Sequence, residues 1–144
     1  MALLEVGDPL AHRALEALLR AEASVRRALS GDLDREGVST AGFSALVLLV
    51  TAGGSLELKT IRRRLRWSKA NATEVSATLG ARGFVVRRRR AEDRRAVLLE
   101  LTPAGAEVVE RVFPGHTERV RATFAPLDPG EKRSLADLCR KLAA

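Results

Sequence analysis

Thirteen lysines and arginines crowd into residues 55–95 (Lys59, Arg62, Arg63, Arg64, Arg66, Lys69, Arg82, Arg87, Arg88, Arg89, Arg90, Arg94 and Arg95) against four acids (Glu57, Glu74, Glu92 and Asp93), a local charge of +9. Residues 1–54 and 96–144 together sum to −2, so this one segment carries the whole excess of a chain whose net charge is +7. The chemistry open to such a cluster is charge-assisted hydrogen bonding to phosphate. A bare charge run is ordinarily a solvated surface, but this one is threaded with apolar residues at helical spacing and ends in a β-like stretch. That pattern describes a folded cationic face and predicts nucleic acid as the partner. Aromatics are scarce, with Phe43, Phe84, Phe113, Phe124, Trp67 and no tyrosine. A single-strand binder relies on aromatic platforms for base stacking, so a duplex is the expected target.

Other chemistries are poorly represented. His12 and His116 stand apart from each other and from any cysteine or acid pair at metal-ligand spacing, so both are assigned to helix faces or chain contacts. The chain lacks a His-x-x-x-His pair, a phosphate-binding Gly-Lys-Ser/Thr loop and a nucleophile elbow, which argues against an enzyme, and no cofactor is implied. Lone Cys139 has no partner for a disulfide within the chain and is expected to be a small buried apolar residue. The N-terminus lacks the pattern of a secretory signal, and the longest apolar run, Phe43 to Val50, is far short of the roughly 20 residues of a membrane span. A cytoplasmic protein with no membrane partner is expected.

The elements that must position the cations follow from periodicity. Leu10, Ala14, Ala17, Leu18, Ala21, Val25 and Leu29 predict a helix from Asp8 to about Leu29, ended by Gly31 and the polar run behind it. Ser39 or Thr40 opens a second helix with Phe43, Leu46, Val47 and Val50 on one face, stopped by Gly53-Gly54. A third runs from about Glu57 to Leu65, with Leu58, Ile61 and Leu65 inward and Lys59, Arg62 and Arg63 outward. After the break Arg66-Trp67-Ser68, Ser68 caps a fourth helix buried through Ala72, Val75 and Leu79 and closed by Gly83. Its outer side offers Lys69, Ala70, Asn71, Thr73, Glu74, Ala77 and Thr78. Two short helices about a tight turn, the second polar outside, make a helix-turn-helix, here without the glycine often found in the turn. Trp67 in that turn is assigned to packing.

Phe84-Val85-Val86 and Ala96 to Leu101 read as strands around the polar stretch Arg87 to Arg95, a hairpin with a long tip and so a wing. Thr102-Pro103 starts a long helix to Phe124, with a bend expected at Pro114-Gly115, and Asp128-Pro129-Gly130-Glu131 is a capping box launching a last helix through Leu142. The fold class expected is mainly α with a small β wing (α+β): a winged helix-turn-helix flanked by N- and C-terminal helices.

This order of elements resembles the MarR family of winged-helix regulators. Ala81-Arg82-Gly83-Phe84-Val85 is similar to the family's helix-to-wing junction, and Glu92-Asp93-Arg94-Arg95-Ala96-Val97-Leu98-Leu99-Glu100-Leu101-Thr102-Pro103-Ala104-Gly105 to its wing signature, including the Asp-x-Arg element. The likeness spans roughly residues 8–143 and is strongest over 55–105. It implies a single unit over 1–144, in which 8–38 and 103–144 supply dimerisation helices and 39–102 the DNA-binding module. It further implies a homodimer reading a pseudo-palindrome, with each recognition helix in a major groove and each wing in the flanking minor groove. Arg95 would enter the minor groove, Asp93 would orient it, and Arg94 would contact phosphate. DNA-binding residues are thus expected at Lys69, Ala70, Asn71, Thr73, Glu74, Arg87, Arg88, Arg89, Arg90, Asp93, Arg94 and Arg95. Glu74 and Thr78 stand where members often have arginine, and Arg89 and Arg90 occupy a wing tip that often carries Pro or Asp. A glutamate at a base edge can accept from cytosine N4 but repels nearby phosphates. The first helix has no cysteine, which sets aside the oxidant sensing of some members. Others bind anionic aromatic ligands in a cleft that would fall here between residues 10–50 and 100–125, so a small-molecule effector is a possible partner. The function expected is a sequence-specific, ligand-responsive repressor, with a non-specific architectural DNA binder and a winged-helix protein-interaction module as the alternatives.

Overall fold

The computed structural model describes residues 7–93 and 95–143. Helix α1 (Pro9–Glu36) opens on Asp8, whose Oδ1 accepts from the backbone N–H groups of Leu10 and Ala11 at 3.0 and 3.2 Å. It does not stop near Gly31 as the sequence suggested. A glycine inside a helix costs about 1 kcal/mol, and here the extra turns bury Leu33 and lead into buried Val38, an apolar gain that exceeds the cost. The stop falls at Gly37, with φ at +70°. There Gly37 N–H donates to Asp34 O and Val38 N–H to Leu33 O, both at 3.0 Å, and buried Leu33 and Val38 supply the apolar pair that accompanies such a stop.

Helix α2 (Thr40–Thr51) is capped by Ser39, which accepts from Gly42 N–H at 3.0 Å, and buries Phe43, Ala45, Leu46 and Leu49. Strand β1 (Ser55–Glu57) was not foreseen, because three residues carry no periodicity. Helix α3 (Leu58–Leu65) buries Ile61, and Arg66 ends it in a left-handed conformation (φ 56°, ψ 40°). That cationic residue thus takes the role a glycine often fills, while Trp67 packs against the core as expected. Helix α4 (Lys69–Ala81) is capped by Ser68 Oγ, which accepts from Asn71 N–H at 3.0 Å, and buries Ala72, Val75, Ser76 and Leu79. Ser76 joins the expected stripe because its hydroxyl donates to Thr73 O at 3.1 Å and needs no water.

Strands β2 (Val85–Arg89) and β3 (Val97–Leu101) form the wing, and β1 pairs with the other edge of β3 in an antiparallel sheet of order β1-β3-β2. Thr102 then welds the wing to α5 (Pro103–Phe124): its hydroxyl donates to Gly83 O at 2.6 Å and accepts from Gly105 N–H at 3.1 Å. Helix α5 continues through Pro114. Asp128 and Glu131 form the capping box of α6 (Pro129–Ala143) reciprocally, at 2.8 and 3.0 Å.

The chain divides into two compact units. One comprises residues 30–117 and holds the winged module with a core of Leu33, Phe43, Leu46, Leu49, Ile61, Leu79, Leu99 and Val108. His116 meets Phe43 edge-on in that unit, the ring centroids 4.9 Å apart. The other comprises residues 1–29 and 118–144. In it α6 buries no residue, and Leu10, Leu15, Leu18, Leu19, Leu135, Leu138 and Leu142 are exposed. Cys139 is exposed as well, contrary to the buried position expected: among the described residues no apolar layer covers this helix. No helix among the described residues is long and apolar enough to cross a membrane.

Candidate nucleic-acid interface

Steps of 100° per residue put Ala70, Glu74 and Ala77 of α4 directly opposite the buried stripe of Ala72, Val75, Ser76 and Leu79, and all three are exposed. Lys69 and Thr73 flank this face on one side, half-buried Asn71 and exposed Thr78 on the other. Tertiary packing then makes a groove that no local pattern contains. Lys59 and Arg62 of α3, Lys69 and Thr73 of α4, and Arg95 of the wing line one depression floored by Leu58, Ala72 and Val97, with Glu57, the partner of Lys59, as its one acid. Four cations from three elements therefore converge beside the exposed face of α4, where a low-dielectric floor strengthens their field. Lys59 and Arg62 belong to the basic segment expected to face nucleic acid, but neither was assigned an individual DNA contact. Their outward placement on α3 was legible, but the approach of the wing that brings them into one depression with Arg95 was not.

The wing arginines prove unequal. In the β2–β3 register Val85, Arg87 and Arg89 lie opposite Leu101, Leu99 and Val97, on the sheet face that buries Leu99, while Val86 and Arg88 point to the other. Arg88 Nε donates to Glu100 Oε2 at 2.8 Å, an exposed cross-strand pair. Arg90 reaches back across the sheet to Glu57 and lies 3.6 Å from Glu92. Both arginines were expected to serve DNA, and both are held by carboxylates in the free chain. Exposed pairs of this kind are worth about 0–1 kcal/mol, so phosphate can compete for either guanidinium at little cost.

Asp93 and Arg95 are brought together through the backbone. Asp93 Oδ1 accepts from Arg95 N–H at 2.9 Å, Asp93 O accepts from Ala96 N–H at 3.0 Å, and Arg90 N–H donates to Ala96 O at 3.2 Å, closing the tip. Arg94, expected at a phosphate, lies outside the described residues. Because the contact uses an acceptor oxygen and not a charge, Asp93→Asn is predicted to keep DNA affinity within about twofold, whereas Asp93→Ala loses about fivefold, the equivalent of one hydrogen bond of about 1 kcal/mol. Fluorescence anisotropy on a labelled duplex measures both, and equal losses would show that the charge matters instead.

Two carboxylates tie the winged unit together. The Arg90 guanidinium, and then Lys59 Nζ at 3.4 Å, hold Glu57 below the usual carboxylate range, against an upward push from burial. Arg111 does the same to Glu36 through two hydrogen bonds of 2.8 Å. A carboxyl group depressed on folding stabilises the native state above its unfolded pKa, and that stability is lost as pH falls through the folded value. Thermal melting of Glu57→Gln should thus lie below wild type at neutral pH and converge with it in acid below the usual carboxylate range. A gap that persists in acid would contradict the role of the charged pair.

A capped, solvent-facing helix behind a tight turn, a two-stranded wing and a cationic groove between them define a winged helix-turn-helix DNA-binding protein. The family model described as "MarR family" matches residues 38–97, which hold α2 through the start of β3. Over 122 residues the chain is 34% identical to an uncharacterised HTH-type transcriptional regulator, YkoM, of Bacillus subtilis, covering 85% of this chain and 79% of that protein. It is 32% identical over 112 residues to the HTH-type transcriptional repressor YetL of the same organism, covering 74% of this chain and 67% of that one. Among solved structures, the PcaV transcriptional regulator of Streptomyces coelicolor in complex with its natural ligand superposes with a TM-score of 0.70 at 26% identity, covering 97% of this chain and 94% of that chain. The chain belongs to the MarR family of DNA-binding transcriptional regulators.

Proposed function

We propose that this regulator is a homodimeric repressor that grips a pseudo-palindromic operator and releases it when a small molecule binds. The observation that carries the DNA reading is the convergence of Lys59, Arg62, Lys69 and Arg95 beside the exposed face of α4. Phosphates held in that groove fix the register in which Ala70, Asn71, Thr73 and Glu74 meet base edges, and Arg95 at the wing tip takes the adjacent minor groove, with the β2 arginines adding backbone contacts. Arg94 is assigned to phosphate on the same grounds of sequence. Dimerisation is supported by the apolar side chains left exposed on α1 and α6, notably Leu10, Leu138 and Leu142, each more than three-fifths exposed. A soluble chain gains by burying such a row against its own copy, and two-fold symmetry then matches an inverted repeat. The name of YetL supports repression, and the ligand-bound structure of PcaV supports control by an effector. A largely apolar hollow lined by Val50, Ala106, Val109, Glu110, Phe113 and Pro114 offers room against α2 and α5 for such a molecule. A ligand that prefers the spacing of reading helices unsuited to DNA weakens binding by its differential affinity alone.

Capture of fragments from the source genome by the purified protein, followed by footprinting, tests the reading. The expected result is one shared motif with inverted half-sites protected about 10 base pairs apart, one turn of DNA. Fragments without a common motif would indicate an architectural binder.

A further inference from the structure

The acids of the winged face are nearly all spoken for. Glu57 is paired with Arg90 and Lys59, Glu92 with Arg90 and Glu100 with Arg88, while Asp93 accepts from the Arg95 backbone. Glu74 differs. It has no ion pair among the described residues, and its neighbours one turn away along α4 are Ala70, Asn71, Ala77 and Thr78, none of them cationic. It also occupies the centre of the exposed face, flanked by two alanines small enough to let the helix approach a groove floor closely.

The hydroxyls on the same helix share its polarity. Thr73 Oγ1 donates to Lys69 O and Thr78 Oγ1 donates to Glu74 O, both at 3.0 Å. Each threonine has therefore spent its proton on the helix backbone and presents outward a methyl group and lone pairs. With Ala70 and Ala77 adding methyls, the middle of the reading face accepts hydrogen bonds and offers none; donors are confined to Lys69 and Asn71 in the first turn.

We infer that Glu74 is the specificity-determining residue of this interface and that it reads the exocyclic amino group of a cytosine in each half-site. An unpaired carboxylate facing a polyanion is repelled unless it finds a donor, and the major groove presents donors at cytosine N4 and adenine N6. Adenine sets its N7 acceptor beside that amino group, where it opposes the second carboxylate oxygen. Cytosine sets an apolar C5–H there, suited to the alanine methyls. Guanine and thymine present acceptors at the corresponding edge and are excluded by the same repulsion. This inference rests on the reading of the protein as a sequence-specific DNA binder.

Selection from a randomised pool of duplexes by wild type, Glu74→Gln and Glu74→Ala provides the test, followed by anisotropy on duplexes differing at the selected position. Glu74 is exposed, so both variants are expected to fold, and coincident melting curves check this. Wild type is expected to enrich a cytosine in each half-site and to lose about 5- to 150-fold in affinity when it is replaced, the usual cost of one mismatched pair. Glutamine, which pairs bidentately with adenine N6 and N7, is expected to shift the preference at that position from cytosine to adenine, and alanine to erase it. A wild-type motif whose base preferences survive both substitutions would overturn the role of Glu74 while leaving the regulator reading intact. No enrichment of any motif by wild type would overturn both.

Discussion

Replacing Arg62 and Arg95 together by alanine is expected to weaken binding to operator and scrambled duplex alike, by about a hundredfold. The size follows from two charge-assisted contacts, Arg62 to phosphate and Arg95 within the minor groove, at about 1.5 kcal/mol each. The effect should also depend on salt. Each cation brought onto the duplex, at a phosphate or in the minor groove, releases counterions and contributes about 0.9 to the slope of log Kobs against log salt, so the double variant should lose about 1.8 from that slope. The two residues stand 33 positions apart and meet only because α3 and the wing border one groove with Lys69. Arg88→Ala should do less, since its guanidinium is already engaged by Glu100 in the free chain and phosphate must displace that carboxylate. Anisotropy titrations across a salt series distinguish these cases, and an unaltered slope in the Arg62/Arg95 double variant would remove the groove from the interface.

The largest effect on stability is expected from Gly105→Ala. In most helices this exchange stabilises by about 1 kcal/mol, but a Cβ at position 105 would lie 2.3 Å from the Phe84 carbonyl oxygen and 2.8 Å from Leu101 Cδ1. That oxygen accepts from Thr102 N–H at 3.1 Å, within the joint that also carries the Thr102 hydroxyl bonds to Gly83 and Gly105. Backbone on both sides of the clash is pinned, so relief requires moving the base of the wing away from α5. A cost of about 2–4 kcal/mol is expected, at the upper end of overpacking penalties, and a fall in Tm of about 5–15 °C. Gly31→Ala supplies the converse. Gly31 lies inside α1 and a Cβ there would meet nothing within 4 Å, so stability should rise by about 0.5–1 kcal/mol. Calorimetry on the two variants should give shifts of opposite sign; a stabilised Gly105→Ala would mean that the wing and α5 are not wedged at this point.

These two positions also mark where the sequence was and was not legible. Caps were readable because their chemistry is local: Ser39, Ser68, Thr102 and the Asp128/Glu131 box each bond within three residues. The helix-turn-helix and wing followed from apolar spacing and from Gly83, whose φ of +78° ends α4. The end of α1 was missed because a local penalty at Gly31 is outweighed by burial of Leu33 in a core assembled from distant segments. Strand β1 escaped notice because its pairing partner, Leu98 to Glu100, lies more than 40 residues away. The same distinction holds at the interface. The outward placement of Lys69 and Glu74 was readable from helix phase, whereas the grouping of Lys59 and Arg62 with Arg95, and the capture of Arg90 by Glu57, depend on how close the wing comes to α3. Charge totals treat Arg87 to Arg90 as one block; strand alternation and available carboxylates divide it.

Titrating the protein with its selected operator and with a scrambled duplex of equal length over a range of salt measures sequence-specific duplex recognition steered by the cationic groove. Both affinities should fall linearly in log–log form as salt rises, with the operator retaining a preference of at least about 10³ at physiological salt. An affinity ratio near unity there would contradict it.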